Sequence, residues 1–181
     1  MDGAFVEQIT YGSPVLKCIR RATDMFLDVH LMVNDPMSQI KFFAEAGADL
    51  ISFHLESSSS AVQTLELIRS FGVKSALAIK PGTAAEEVYP LLSLCDMVLV
   101  MTVEPGYGGQ AFIPETIEKI RQLREYAGSD LDIEVDGGIN AKTAPLVKEA
   151  GANVLVAGTG LFKAEDMEQA NAALKTPQKG A

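Results

Sequence analysis

Five side chains combine reactive chemistry with a place at or near the end of an apolar run: His30, His54, Lys80, Glu104 and Asp136. Two imidazoles and a carboxylate are the donor set of a two-histidine, one-carboxylate metal site. His30, His54 and Asp136 make such a set if the fold gathers their strands around one point. Otherwise each histidine is a hydrogen-bonded interior residue. Asp28 and Glu134 lie one pleat deeper, where an unpaired charge is costly, so they are expected to pair with polar neighbours such as Lys80.

Glycines mark a second kind of chemistry. Glu104-Pro105-Gly106-Tyr107-Gly108-Gly109 links a strand to a helix and is able to turn several backbone N–H groups toward an anion, although an ordinary turn has the same look. Gly137-Gly138 and Gly158-Thr159-Gly160 follow two later strands, and three such loops together predict phosphate binding. No G-x-G-x-x-G opens a helix after a first strand, so no nucleotide cofactor is indicated. Met32 and Met101 either fill the core or form a polarisable floor beneath a planar intermediate.

The elements that must position these residues alternate. Ser13, with Pro14 behind it, is expected to cap a first helix ending at Arg20 and Arg21. Strands are predicted near 25–33, 49–55, 74–80, 97–103, 132–136 and 153–157. Helices are predicted near 37–46, 60–71, 84–92, 114–126, 142–150 and 165–174, with Ile117, Ile120 and Leu123 as one buried stripe. Within the strands one face is aliphatic (Leu27, Val29, Leu31, Val33) and the other polar or small (Asp28, His30, Met32). Ile51, Phe53 and Leu55 likewise oppose Ser52, His54 and Glu56. An open doubly wound sheet needs both faces apolar, whereas a barrel lets polar inner faces meet, so the fold class is an α/β barrel of the (β/α) TIM type. Its catalytic groups belong at the C-terminal strand ends. Eight such units need about 250 residues, and six are countable in 181. Residues 1–175 therefore read as an incomplete barrel domain with strands 1 and 2 expected upstream of Met1, and 176–181 as a frayed tail.

The rest of the composition narrows the partners. Fifteen basic against twenty-four acidic side chains give a net charge of −9, which disfavours nucleic acid and anionic membrane surfaces. No apolar run approaches the ~18 residues of a spanning helix, and the N-terminus lacks the pattern of a signal peptide, so a cytoplasmic protein is expected. Cys18 and Cys95 lack metal or disulfide spacing and are expected in the core of a reduced protein.

Several segments together carry a resemblance: M-D-G-x-F at 1–5, D-V-H-L-M-V at 28–33, F-H-L-E at 53–56, A-I-K-P-G-T at 78–83, V-M-T-V-E-P-G-Y-G-G-Q at 100–110 and E-V-D-G-G at 134–138. From Met1 to about residue 174 the chain resembles the ribulose-phosphate 3-epimerase family. The resemblance implies an isomerase of the pentose phosphate pathway that interconverts D-ribulose 5-phosphate and D-xylulose 5-phosphate at C3. Two aspartates act on opposite faces, around a divalent metal such as zinc, iron(II) or manganese. Carried across, Asp136 is the second acid and a metal ligand, and His30 is a metal ligand in contact with substrate. Met32 and Met101 form the floor, and the phosphate falls to Gly106, Tyr107, Gly108, Gly109, Gly137, Gly138, Gly158 and Thr159.

Departures accompany the matches. The family's first acid and another metal-binding histidine stand in an H-x-D-x-M-D-G arrangement, and this chain begins at that methionine. Asp2 matches the later aspartate of the motif, and Ala4, Glu7 and Gln8 differ from the usual loop. The resemblance therefore implies a weakened metal site and turnover barely above background for the 181-residue chain. Two alternatives stay open: a 3-epimerase of allulose 6-phosphate, and a non-catalytic phosphate-binding protein. Strands left without neighbours at 25–33 and 153–157 predict a homo-oligomer.

Overall fold

The computed structural model describes Met1–Lys175, so the expected frayed tail at 176–181 lies outside the described residues. Six strands, β1 (Asp28–Leu31), β2 (Leu50–His54), β3 (Lys74–Ile79), β4 (Met97–Met101), β5 (Asp132–Asp136) and β6 (Val154–Val156), occur in one sheet in chain order. The pairs β1/β2, β2/β3 and β5/β6 are parallel. Helices α1 (Ser13–Ala22), α2 (Ile40–Glu45), α3 (Ala61–Ser70), α4 (Thr116–Ala127), α5 (Ala144–Glu149), α6 (Thr159–Phe162) and α7 (Met167–Lys175) alternate with them. Parallel strands in sequential order joined through helices are the barrel-type arrangement predicted from the strand faces.

The predicted elements are present, with three local corrections. The stretch 84–92 is not α-helical but two 3-10 segments, Ala85–Glu87 and Tyr89–Leu94, because Pro90 has no N–H to continue a helix. Ser13 is the first helical residue and not the cap; Gly12 takes that place and has no side chain to bond the first turn. The four-residue α6 falls where no helix was predicted. No helix among the described residues is long and apolar enough to cross a membrane.

Two compact units divide the described residues: Met1–Ala78 with Pro90–Val98, and Ile79–Tyr89 with the residues from Leu99 onward. In the first, the aliphatic face of β1 and β2 (Val29, Leu31, Ile51, Phe53) is buried with Leu65 and Ile68 of α3. The opposite face is the polar one, and register places His30 beside Ser52, Ser52 beside Ala76, and His54 beside Ala78. In the second unit Ile133 and Val135 of β5 are buried with Ile120 and Leu123 of α4 and Val147 of α5.

Both units secure the start of a strand in the same way. E-A-G-A-D at 45–49 and E-A-G-A-N at 149–153 each follow a helix and precede a strand. Asp49 accepts the N–H of Leu27 at 2.7 Å and donates its own N–H to the Leu27 carbonyl at 3.0 Å. Asn153 repeats both bonds with Ile133, at 2.7 and 3.0 Å. Asp96 does the same for Ser75, at 2.9 and 2.8 Å. Gly47 (φ 100°) and Gly151 (φ 114°) hold positive φ. A Cβ at either would lie 2.7 or 2.6 Å from the side chain of an arginine, Arg20 or Arg124, that reaches across from a preceding helix.

Candidate functional site

On the first unit the two histidines predicted as site residues are brought together. Their ring centroids are 5.0 Å apart. Ser52 Oγ lies 3.0 Å from His30 Nδ1, and Glu56 Oε2 lies 3.1 Å from His54 Nδ1. An ionised carboxylate only accepts, so His54 donates from Nδ1. Both Nε2 atoms are buried with no hydrogen-bond partner among the described residues. Burial, followed by the His54 ring and the N-terminal ammonium, holds the His30 imidazole well below its usual pKa, so it is neutral at pH 7. Phe5 packs on His54 with centroids 4.8 Å apart. Asp2, the later aspartate of the opening motif, is used structurally: its carboxylate accepts the N–H groups of Ala4, Phe5 and Asn34.

Asp136 ends β5 on the second unit. Its side chain is half-buried, and burial raises its carboxyl pKa. The next two residues bend the backbone sharply, Gly137 at φ 125° and Gly138 at φ 65°. Neither position admits a side chain, since a Cβ on Gly137 would lie 2.8 Å from the Val103 nitrogen and one on Gly138 2.8 Å from that of Phe112. The two other predicted glycine loops meet here as well. Cβ atoms at Gly108 and Gly109 would lie 3.8 and 3.9 Å from Thr159 Cγ2, and one at Gly160 would run into the Ile139 carbonyl. The loop that begins at Glu104 is drawn together by Gln110, whose Nε2 donates to the carbonyls of Glu104 and Tyr107 at 2.6 and 2.9 Å. Gly106, Tyr107, Gly108, Gly109, Gly137, Gly138, Gly158 and Thr159 thus belong to loops of one compact unit.

Other predicted positions fall out differently. Met101 is fully buried and Met32 half-buried. Glu134 is buried, but Asp28 is exposed, against the expectation that both lie deep. Cys18 is exposed on α1, correcting its assignment to the core. Cys95 is mostly buried, and burial pushes its thiol up to about 12, leaving it unreactive at neutral pH. Glu104 is exposed and Lys80 half-buried. Among the described residues no three or more His, Cys, Asp or Glu side chains gather where they could hold a metal ion. The unpartnered imidazole nitrogens are suitable donors, but two nitrogens fall short of the set.

Three residues escaped the sequence reading. Thr102 is fully buried and joins the end of β4 to the loop after β5. Asn140 and Thr143 both donate to the Gly138 carbonyl, at 3.0 and 2.9 Å. A hydroxyl directly after an apolar strand was the available signal for Thr102, and an Asn-x-x-Thr spacing after the glycine pair for the other two.

A (β/α)-barrel-type sheet with an acid and glycine turns at its C-terminal strand ends defines the class. The solved structure of a 3-hexulose-6-phosphate synthase shares the fold with a TM-score of 0.71 at 19% identity, covering 90% of this chain and 78% of that one. The ribulose-phosphate 3-epimerase of Bacillus subtilis (strain 168) is 44% identical over 174 residues, covering 94% of this chain and 80% of its own length. The cytoplasmic isoform of Oryza sativa subsp. japonica is 43% identical over 185 residues, covering 100% of this chain and 81% of its own. The pattern of the ribulose-phosphate 3 epimerase family matches residues 1–162, and the chain belongs to that family.

Proposed function

We propose that the chain binds a ketopentose 5-phosphate and moves a proton at its C3, with Asp136 as the acid–base group. The phosphate is held by the loops containing Gly106–Gly109, Gly137-Gly138 and Gly158-Thr159. The observation that carries this reading is the half-buried Asp136, with its raised pKa, standing directly before a glycine turn packed against the neighbouring loop. Asp136 as carboxylate takes the C3 proton, the electron pair of that bond forms the C2–C3 double bond as the C2 carbonyl π pair moves onto its oxygen to give an enediolate, and the acid then returns a hydron to C3 as the carbonyl re-forms. Burial, by raising the Asp136 pKa, makes its carboxylate a stronger base, which suits a group that both takes and returns a proton.

Inversion at C3 needs a second group on the opposite face, and this reading assigns only one. Proton transfer by Asp136 exchanges the C3 hydrogen with solvent whichever group serves that face. D-ribulose 5-phosphate and D-xylulose 5-phosphate incubated in D2O test this by NMR, with allulose 6-phosphate alongside to read substrate length. Deuterium uptake at C3 that drops by about 10²–10⁴ in Asp136→Asn is the expected result. Binding without exchange would leave a phosphate-binding protein. Exchange untouched by Asp136→Asn would reject the acid.

A further inference from the structure

Thr102 makes three hydrogen bonds around the acid. Its N–H donates to the Asp136 carbonyl at 2.8 Å and its Oγ1 to the Gly137 carbonyl at 2.5 Å. Its own carbonyl accepts the N–H of Ile113 at 2.9 Å, which anchors it to the far end of the glycine loop. It is 0% exposed, so water cannot replace the hydroxyl. Two successive carbonyls, those of residues 136 and 137, are thereby fixed, and with them the peptide plane from which the Asp136 side chain departs. Val103 closes the same turn from the side, within 2.8 Å of where a Gly137 Cβ would be. The next carbonyl, that of Gly138, is held by a different pair, Asn140 Nδ2 and Thr143 Oγ1. One turn thus has two separate anchors, Thr102 for the acid and Thr143 with Asn140 for the glycines behind it.

We propose that Thr102 is a positioning residue for proton transfer: its hydroxyl aims the Asp136 carboxyl at C3, while Thr143 sets the anion-binding part of the same turn. This rests on the assignment of Asp136 as the acid. The two threonines carry the same functional group, so the same substitution at each separates the roles.

The test follows C3 deuterium uptake as a function of substrate concentration in the 181-residue chain and in Thr102→Val, Thr102→Ser, Thr143→Val and Asp136→Asn, with thermal protection by inorganic phosphate measured on each. A misplacement of about 1 Å costs on the order of 10² in rate. Thr102→Val is therefore expected to lower kcat by about 10- to 100-fold with KM and phosphate protection within about twofold. Thr102→Ser, which keeps the hydroxyl, should restore most of kcat. Thr143→Val should do the reverse, raising KM and weakening phosphate protection more than it lowers kcat. A Thr102→Val variant that changes KM and kcat together, or neither, overturns the positioning role, as does failure of Thr102→Ser to recover. If Thr102→Val does not fold, the Ser variant decides: a kcat lowered as far as that of Asp136→Asn overturns the role, and one close to the parent chain supports it. Uptake in the parent chain that survives Asp136→Asn, or no uptake at all, rejects the acid assignment and this proposal with it. Uptake lost in Asp136→Asn but indifferent to Thr102→Val rejects this proposal alone.

Discussion

The two E-A-G-A segments build one device with different polar residues, and their surroundings explain the difference. In the first unit the device ends in Asp49, whose carboxylate accepts from Leu27 N–H and pairs with Arg20 at 2.8 Å. Arg20 also donates to the Met25 carbonyl at 2.7 Å. In the second unit the equivalent residue is Asn153, and its amide does what a carboxylate cannot: Oδ1 accepts from Ile133 N–H while Nδ2 donates to Asp132 at 2.7 Å. The residue matching Asp132 in the first unit is Phe26, which presents no acceptor side chain. Arg124, without a carboxylate partner, keeps a longer bond to Asn153 Oδ1 at 3.4 Å and mainly serves backbone carbonyls: Gly151 twice, at 3.0 and 2.9 Å, Gly128 at 2.6 Å and Leu131 at 2.8 Å. The choice of Asp or Asn thus follows from what stands one residue before the bonded Leu27 or Ile133, and the arginine adapts to it.

The comparison breaks most visibly at the arginines. Arg124→Gln strands several carbonyls in partly buried surroundings and should cost about 3 kcal/mol. Arg20→Gln removes a partly exposed ion pair and one carbonyl bond and should cost about 1 kcal/mol. Urea unfolding of both variants, read as midpoint shifts at constant slope, checks the order. Equal losses would mean that the two clamps do not differ as described.

Next come the glycines. Gly151→Ala must displace Arg124 at its Cβ and Cγ and hold positive φ, so a loss of about 2–3 kcal/mol is expected. Gly47→Ala meets the Arg20 Cγ, Cβ and Cδ, a chain bonded at fewer points, and should lose about 1 kcal/mol less. Thermal melts of the pair decide whether the arginine or the backbone sets the cost, since φ strain alone predicts equal effects.

Exchanging the polar residues sharpens the account further. Asp49→Asn keeps an oxygen for Leu27 and should change stability by no more than about 0.5–1 kcal/mol. Asn153→Asp sets a second carboxylate beside Asp132 and should cost about 1–2 kcal/mol at pH 7, with the loss shrinking in acid as the carboxylates protonate. A neutral Asn153→Asp would show that the amide is incidental.

The smallest effect belongs to the acid itself. Because burial raises the Asp136 pKa in the folded chain, the ionised carboxyl opposes folding. That penalty is absent below the unfolded value near 3.8, grows as pH rises through the folded value, and is constant above it. Asp136→Asn should therefore melt no lower than the parent chain at pH 7, and any gain should vanish in acid. Destabilisation by this substitution at pH 7 would contradict burial as the cause of the raised pKa.

Much of this was legible before the structure. Strand order, the buried aliphatic face and the position of Asp136 at a strand end follow from period-two alternation, and the loops after the strands from their glycine pairs. The roles proposed for His30 and Asp136 come from the family resemblance, since spacing alone leaves them open. Other features depend on partners far apart in the chain: the Thr102 bonds span 34 and 35 residues, and the choice of Asn153 over aspartate depends on Asp132. Local pattern also misled at Cys18, where an apolar type sits on the outer face of α1, at Asp28, which the alternation rule alone would have buried, and at 84–92, where one proline turns an apparent helix into two short 3-10 segments.

The central claim is that the second unit carries both the anion grip and the acid. Backbone amide NMR of the 181-residue chain, titrated first with inorganic phosphate and then with D-ribulose 5-phosphate, tests it most directly. The account predicts that phosphate shifts the amides of Gly106–Gly109, Gly137, Gly138 and Gly158-Thr159 and leaves those around His54 and Glu56 still, with Asp136 joining only for the sugar phosphate. Saturable shifts centred on residues of the first unit, with the three glycine loops unmoved, would contradict it.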